Sequence, residues 1–331
     1  MPTPLNWAII GCGDVTEVKS GPAYQQTPGF RLAAVMRRDA EKLQDYATRH
    51  GVPRYTTDAE ALINDPAIDA VYIATPPDSH KYYALKVAAA GKPCCIEKPL
   101  APSYAESLAI CTAFREQDVP LFVAYYRRTL PRFQRVKQWL DEQAIGPVRH
   151  VNWLLHKPPS AVDLSGADNW RTDPQVAPGG YFDDLASHGL DLFTFLLGNI
   201  KRVHGVSLNQ QGLYGAKDAF AASWLHHDGI TGAGSWNFGC DRSVDRVEVY
   251  GRTGVIRFSV FTDAPVVLDA YGRQEEEHIP HPATVQLPHV RAMARQLLGQ
   301  DYTHPASGVA ALHTSWVMDQ ILAPVAPPPT T

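Results

Sequence analysis

Two short stretches carry side chains whose types and order suit chemistry. In Cys95-Ile96-Glu97-Lys98-Pro99-Leu100 an apolar run ends in a glutamate and a lysine, followed by a proline. A buried strand that ends this way delivers charged groups to the sheet edge where open α/β sheets bind ligands. A partly desolvated lysine there is a hydrogen-bond donor and proton-transfer partner; the plainer alternative is a strand-end lysine in solvent. In the second stretch, Gly179 and Gly180 precede a helix expected over 182–197. Asp184 and His188, four residues apart, share one face of it, with Asp191 a turn further on. Histidine is the side chain best suited to move a proton near neutral pH, and a carboxylate one turn away can orient it. The alternative is a helix-surface ion pair.

These residues need elements to hold them. The apolar run over 6–10 reads as a strand and ends in Gly11-Cys12-Gly13-Asp14-Val15-Thr16, two-thirds of a dinucleotide fingerprint. Gly11 allows the tight turn, and Gly13 lets backbone N–H groups approach a pyrophosphate. Thr16 replaces the third glycine, which predicts looser helix–strand packing. A second strand over 31–36 ends in Arg37-Arg38, where an acid would grip the ribose of NAD. Arg37 can instead pair with the 2′-phosphate of NADP and Arg38 can stack on adenine, or both are solvated arginines. NADP(H) is therefore expected over NAD(H).

Further along, Thr57-Asp58-Ala59-Glu60 and Ser103-Tyr104-Ala105-Glu106 read as capping boxes. Strands are expected over 69–74, 94–96 and 121–124, and helices over 80–90 and 103–117. Thr75-Pro76-Pro77-Asp78-Ser79-His80 is a stiff strand-end loop, because consecutive prolines cannot belong to a central strand. This alternation over 6–124 predicts a parallel, doubly wound sheet. A helix from Pro131 follows, and then strands over 148–156, 201–208, 219–226, 232–238, 246–250 and 255–260. They predict a second, α+β domain with an antiparallel or mixed sheet, closed by helices over 290–298 and 309–322. The domains are drawn at 1–124 and 125–323, with a proline-rich tail over 324–331.

The chain has 331 residues, 45% hydrophobic and 19% charged, with a net charge of −4. That length predicts two domains, and that charge gives no reason to expect nucleic acid or an anionic membrane as partner. No apolar run of transmembrane length and no signal-peptide pattern is visible. Cysteines 12, 94, 95, 111 and 240 lack zinc-type spacing, so no metal site is expected and the thiols read as reduced, in a cytoplasmic protein.

Five motifs in register resemble the Gfo/Idh/MocA oxidoreductases: Gly11-Cys12-Gly13, Ala74-Thr75-Pro76-Pro77 with His80, Glu97-Lys98-Pro99, Tyr125-Tyr126-Arg127-Arg128, and Gly179-Gly180 with Asp184 and His188. The resemblance implies an N-terminal Rossmann domain that binds NAD(P) through residues of the first three motifs. It implies a C-terminal domain whose large open, mostly antiparallel sheet often mediates homodimers or homotetramers, and a sugar or polyol held between the domains. By the same resemblance Lys98 contacts the reacting oxygen, His188 is the general acid/base, and Asp184 binds substrate or orients the histidine. Glu97 and Pro99 would hold the lysine's strand end beside the nicotinamide ribose. Tyr125 or Tyr126, with Arg127, Trp153, His156, Trp170 and Arg171, suit a sugar, since aromatic faces and polar edges match carbohydrate; packing in the core or on the surface is the alternative for each. Thr16, and Ala186-Ser187 before His188, depart from the pattern without removing a chemical group. Two other readings stay open: a tightly held cofactor used for redox-neutral glycoside cleavage or epimerisation, and a non-catalytic NAD(P)-sensing regulator.

Overall fold

Near-continuous apolar runs, rather than alternating ones, mark strands covered on both faces. Five such strands, β1 (Leu5–Ile10), β2 (Phe30–Met36), β4 (Ala70–Ile73), β5 (Cys94–Ile96) and β6 (Leu121–Val123), and a short exposed edge strand, β3 (Arg54–Thr56), form a parallel sheet in the order 3-2-1-4-5-6. These are features of a computed structural model that describes residues 3–323; the tail expected over 324–331 lies outside them. Ala8, Ile10, Val71, Ile73 and Ile96 enter one apolar core, whereas Trp7, Ile9, Tyr72, Cys95 and Phe122 enter another. Alternate residues of one strand thus serve two cores, which is what doubly wound means physically. Helices α1 (Asp14–Val18), α2 (Gly21–Gln25), α3 (Ala40–Arg49), α4 (Ala59–Ile63), α5 (His80–Ala89) and α6 (Tyr104–Glu116) connect the strands. The Ser103 hydroxyl caps α6 by accepting from the Glu106 N–H at 3.2 Å, a contact worth about 1 kcal/mol. The cap of α4 is Asp58 rather than Thr57: its carboxylate accepts from the N–H groups of Glu60 and Ala61.

The later part builds an eight-stranded mixed sheet. Its strands are β7 (Val148–His156), β8 (Ile200–Leu208), β9 (Ala219–His226), β10 (Thr231–Asn237), β11 (Val244–Gly251), β12 (Gly254–Phe258), β13 (Val266–Ala270) and β14 (Arg273–Glu277). The order is 14-13-12-11-7-10-9-8; β7 and β10 are parallel and every other pair is antiparallel. The sequence reading did not include β13 and β14. Helices α7 (Pro131–Asp141), α8 (Ala161–Ser165), α9 (Ser187–Leu197), α10 (Leu287–Leu297) and α11 (Gly308–Leu322) complete the chain. Trp153 of β7, Trp236 of β10, Trp224 of β9 and Phe193 of α9 make an aromatic core with ring centroids 5.6–6.4 Å apart. The helix expected over 182–197 is not uniform: Phe182–Ala186 is π-helical, and α9 begins only at Ser187. Such a wide turn is a frequent mark of functional sites.

Two compact units result, and they do not follow a linear division at 124/125. Among the described residues, one comprises 3–130 together with His281–Leu312; the other comprises Pro131–Pro280 and 313–323. The first unit reclaims the later segment because Val290, Met293 and Ala294 of α10 fill one of its two cores.

Candidate active site

In the first unit the candidate residues gather at the carboxyl ends of β1, β4 and β5. Gly11 turns with φ +89°, and a Cβ there would lie 2.6 Å from Thr75 Cγ2 and 2.8 Å from Thr75 N. Only glycine lets the two strand-end loops touch in this way. A Cβ at Gly13 would meet nothing closer than Gly11 O at 3.9 Å, so the turn keeps an open face. Arg37 Nη1 donates to Cys12 O at 3.2 Å, which brings its guanidinium to the rim of that turn, while Arg38 is exposed. Asp14 is exposed and Val15 half-buried at the start of α1. The expectation of looser packing at Thr16 is corrected. Thr16 is fully buried, and its hydroxyl donates to Gly13 O at 2.8 Å. The close approach has moved to Gly21, where a Cβ would lie 2.3 Å from Thr16 O.

Lys98 follows β5, half-buried, and a cis peptide bond joins it to Pro99. Glu97 turns into the unit. Its carboxylate accepts from the Tyr72 hydroxyl at 2.5 Å, from Gln286 Nε2 at 2.8 Å and from the Lys98 N–H at 3.3 Å. A buried carboxylate with three donors is a rigid anchor for the residue beside it. Gln286 lies 189 residues away in sequence, and no local pattern signals it. His80 is a second brace. Its Nε2 lies 2.8 Å from Thr75 O, and its Nδ1 lies 3.1 and 3.2 Å from Pro99 O and Leu100 O. The ring thus ties the Thr75-Pro76-Pro77 loop to the chain after Lys98. Burial lowers its pKa while the three carbonyls pull the other way, because only the charged ring has an N–H for both sides.

Tyr126 and Arg127 stack within a 3₁₀ turn, with the guanidinium 5.0 Å from the ring centroid. Tyr125 differs from the expectation of a sugar-facing side chain: it is fully buried in the apolar core of the first unit, where a ring packs instead of binding substrate.

In the second unit the π-helical turn carries Asp183 and Asp184. Asp184 Oδ2 pairs with Arg171 Nε at 2.7 Å, and the Arg171 guanidinium lies 4.4 Å from the Trp170 ring centroid. His188 opens α9 and is only 4% exposed. Its ring meets that of Phe261 edge-on at 6.0 Å. Phe261 is held in turn by Asp245, which accepts from its N–H at 2.7 Å, from Trp153 Nε1 at 2.9 Å and from the Ser259 hydroxyl. Neither Asp245 nor Phe261 stands in any of the motifs. Asp191 is fully buried and accepts from the Thr314 hydroxyl at 3.2 Å, which makes it a packing residue. Asp183 is buried too; it accepts from Gly179 N at 2.8 Å, and burial raises its pKa to about 7.

Among the described residues no group of three or more His, Cys, Asp or Glu is arranged to hold a metal ion, and no helix is long and apolar enough to cross a membrane. The first unit does fit a dinucleotide: an open glycine turn, a guanidinium at its rim and a lysine lie at neighbouring strand ends.

Residues 5–125 match the oxidoreductase family with an NAD-binding Rossmann fold, and residues 133–257 match the GFO/IDH/MocA C-terminal domain. The chain is 36% identical to Oxidoreductase P35 of Formosa agariphila over 320 residues, 96% of this chain and 98% of that one. It is 28% identical to 1,5-anhydro-D-fructose reductase of Ensifer adhaerens over 266 residues, 78% of each chain. Levoglucosan dehydrogenase, solved in complex with NADH and levoglucosan, has the same fold: TM-score 0.84, 22% identity, 97% of this chain and 96% of that one. The strand order, the glycine turn and both domain matches agree, and the chain belongs to the Gfo/Idh/MocA family of oxidoreductases.

Proposed function

We propose that the protein interconverts a secondary alcohol and a ketone on a sugar or polyol, using NADP(H) in preference to NAD(H). The observation that carries this reading is Lys98 at the carboxyl end of β5, the sheet end that also bears Gly11, Gly13 and Thr75. Sugar chemistry is supported by the names of the relatives, among them a 1,5-anhydro-D-fructose reductase and a levoglucosan dehydrogenase. When bound, a nicotinamide cofactor would supply hydride-transfer chemistry at the carbinol or ketone carbon.

The chain's own residues supply the rest. Gly11, Gly13 and the first turn of α1 would receive the pyrophosphate, and Arg37 the 2′-phosphate. Lys98, anchored through Glu97 and the His80 brace, donates to the substrate oxygen and stabilises the developing alkoxide. A ring nitrogen of His188 takes the hydroxyl proton in oxidation and gives it back in reduction, worth roughly 10²–10⁴-fold in rate. Asp184, paired with Arg171, orients the substrate or the imidazole.

Calorimetric titration with NADPH and NADH, on wild type and on Arg37→Asp, tests the cofactor assignment. Wild type should prefer NADPH and the variant should lose that preference. Protein free of endogenous nucleotide that binds neither cofactor sinks the reading. Cofactor that stays through dialysis would favour a redox-neutral cycle instead.

A further inference from the structure

A cavity of about 400 Å³ opens in the second unit beside the Trp170–Arg171 pair. We infer that it is a subsite for a second, uncharged sugar ring, so that the substrate is a neutral disaccharide or other glycoside. The inference rests on the sugar-oxidoreductase reading above and deepens it.

The size lies within the roughly 300–1,000 Å³ of small-molecule sites. Its walls include Asp163, Asp168, Asn169, Trp170, Asp173 and Tyr214, and no lysine or arginine lines it. An anionic ring would meet carboxylates without a counter-charge, so a uronate, sulfated or phosphorylated sugar is disfavoured. Two aromatic side chains among carboxylate and amide acceptors suit a ring with apolar C–H faces and polar edges. The Tyr214 hydroxyl is buried and has no protein hydrogen-bond partner. Burial, with the nearby carboxylates of Asp218 and Asp163, pushes its pKa up and keeps it a donor. A buried donor with no partner is costly, and a small turn of the Tyr214 ring towards the cavity would satisfy it on a sugar hydroxyl.

The cavity is also coupled to the chemistry. One side chain, Arg171, spans from the Trp170 ring to the Asp184 carboxylate. One residue thus joins the Trp170 wall of the cavity to the carboxylate assigned to the reacting sugar, and a substrate that reaches both carries a second ring on the first. Asp163, which accepts from Ser160 Oγ at 2.7 Å and from Tyr181 OH at 2.8 Å, holds the wall in shape.

The test uses the whole chain with D-glucose, D-galactose, cellobiose, maltose, lactose and lactobionate. Binding is read by calorimetry and turnover with NADPH or NADP⁺. Variants are Tyr214→Phe, which removes one hydroxyl, and Ala167→Trp, which fills the cavity from an exposed position. At least one neutral disaccharide should bind several-fold more tightly than its parent monosaccharide, and lactobionate more weakly than lactose. Tyr214→Phe should cut that advantage about five-fold, and Ala167→Trp should abolish it. The subsite is overturned if no disaccharide outbinds its parent, or if a folded Ala167→Trp protein keeps the advantage. Disaccharide binding lost in Ala167→Trp but without turnover on any sugar would remove the oxidoreductase reading and leave the subsite standing. Monosaccharide turnover with no disaccharide advantage does the reverse.

Discussion

Replacing Gly189 by alanine puts one methyl group beside His188 and sets two effects of opposite sign against each other. Helix propensity favours alanine over glycine by about 1 kcal/mol inside a helix such as α9. Packing opposes it: the new Cβ would lie 2.3 Å from Trp153 Cζ3 and 2.4 Å from Cη2. Carbon atoms at rest sit about 3.5–4.0 Å apart, so the indole must retreat by roughly an ångström. It has nowhere to go, since Trp153 is fully buried and packs edge-on against Phe193 and Trp236, each at 5.6 Å. Retreat also strains the indole bond to Asp245, a charged acceptor worth about 1.5–3 kcal/mol. Overpacking of about 1–3 kcal/mol plus part of that bond outweighs the propensity gain, for a net loss of about 2 kcal/mol. Urea unfolding followed by tryptophan fluorescence reads the second unit, because every tryptophan except Trp7 lies there. The midpoint should fall in Gly189→Ala and recover in part in Gly189→Ala/Trp153→Phe, whose smaller ring makes room. A single variant as stable as wild type, or more so, refutes the packing argument.

Two further outcomes concern pH. An acid whose folded pKa is raised, such as Asp183 at about 7, favours the fold at low pH, and that contribution is lost as pH rises through the folded value. Wild type should therefore lose about 2–4 kcal/mol relative to Asp183→Asn between pH 4 and 8; a stability difference that ignores pH would contradict this. Glu17 is the reverse case, lowered to about 2 chiefly by its bond to Arg49 and then by His50. Its contribution is present above the ordinary carboxylate pKa and disappears as pH falls towards 2. Because the pair is partly exposed, Glu17→Gln should cost no more than about 1 kcal/mol at pH 7 and nothing near pH 2, measured by thermal melts across that range.

Where the pattern is local and apolar, the sequence speaks clearly: β5, β7 and β9 begin and end where their runs do. The short edge strand β3 and the edge strand β14, Arg-Gln-Glu-Glu-Glu, bury almost nothing and so carry no hydrophobic period to read. The π-helical turn at 182–186 escapes notice because its composition is that of an ordinary helix start. Lys98 is legible as a strand-end charge, but its anchoring depends on Gln286 and Tyr72, partners that only tertiary structure assembles. Thr16 shows the same lesson in reverse. A missing glycine in the fingerprint predicts loose packing, yet the need for a small residue is met five positions later at Gly21. Tyr125 sits in a motif and yet serves the core.

The first unit's dependence on residues 281–312 also bears on how the chain is made. β6 is bound along its outer edge by the chain at Ala306 and Ser307, with Val123 N donating to Ala306 O at 3.0 Å. Glu97 waits for Gln286, and one face of the sheet waits for Val290 and Met293. On the ribosome, then, the part translated first is not the part completed first. The nucleotide-binding half emerges early with an open flank of apolar surface, and the whole second sheet is synthesised before the helix that seals that flank leaves the exit tunnel. A nascent chain stalled before α10 should be protease-sensitive and prone to aggregate, and an isolated N-terminal fragment should inherit the same weakness.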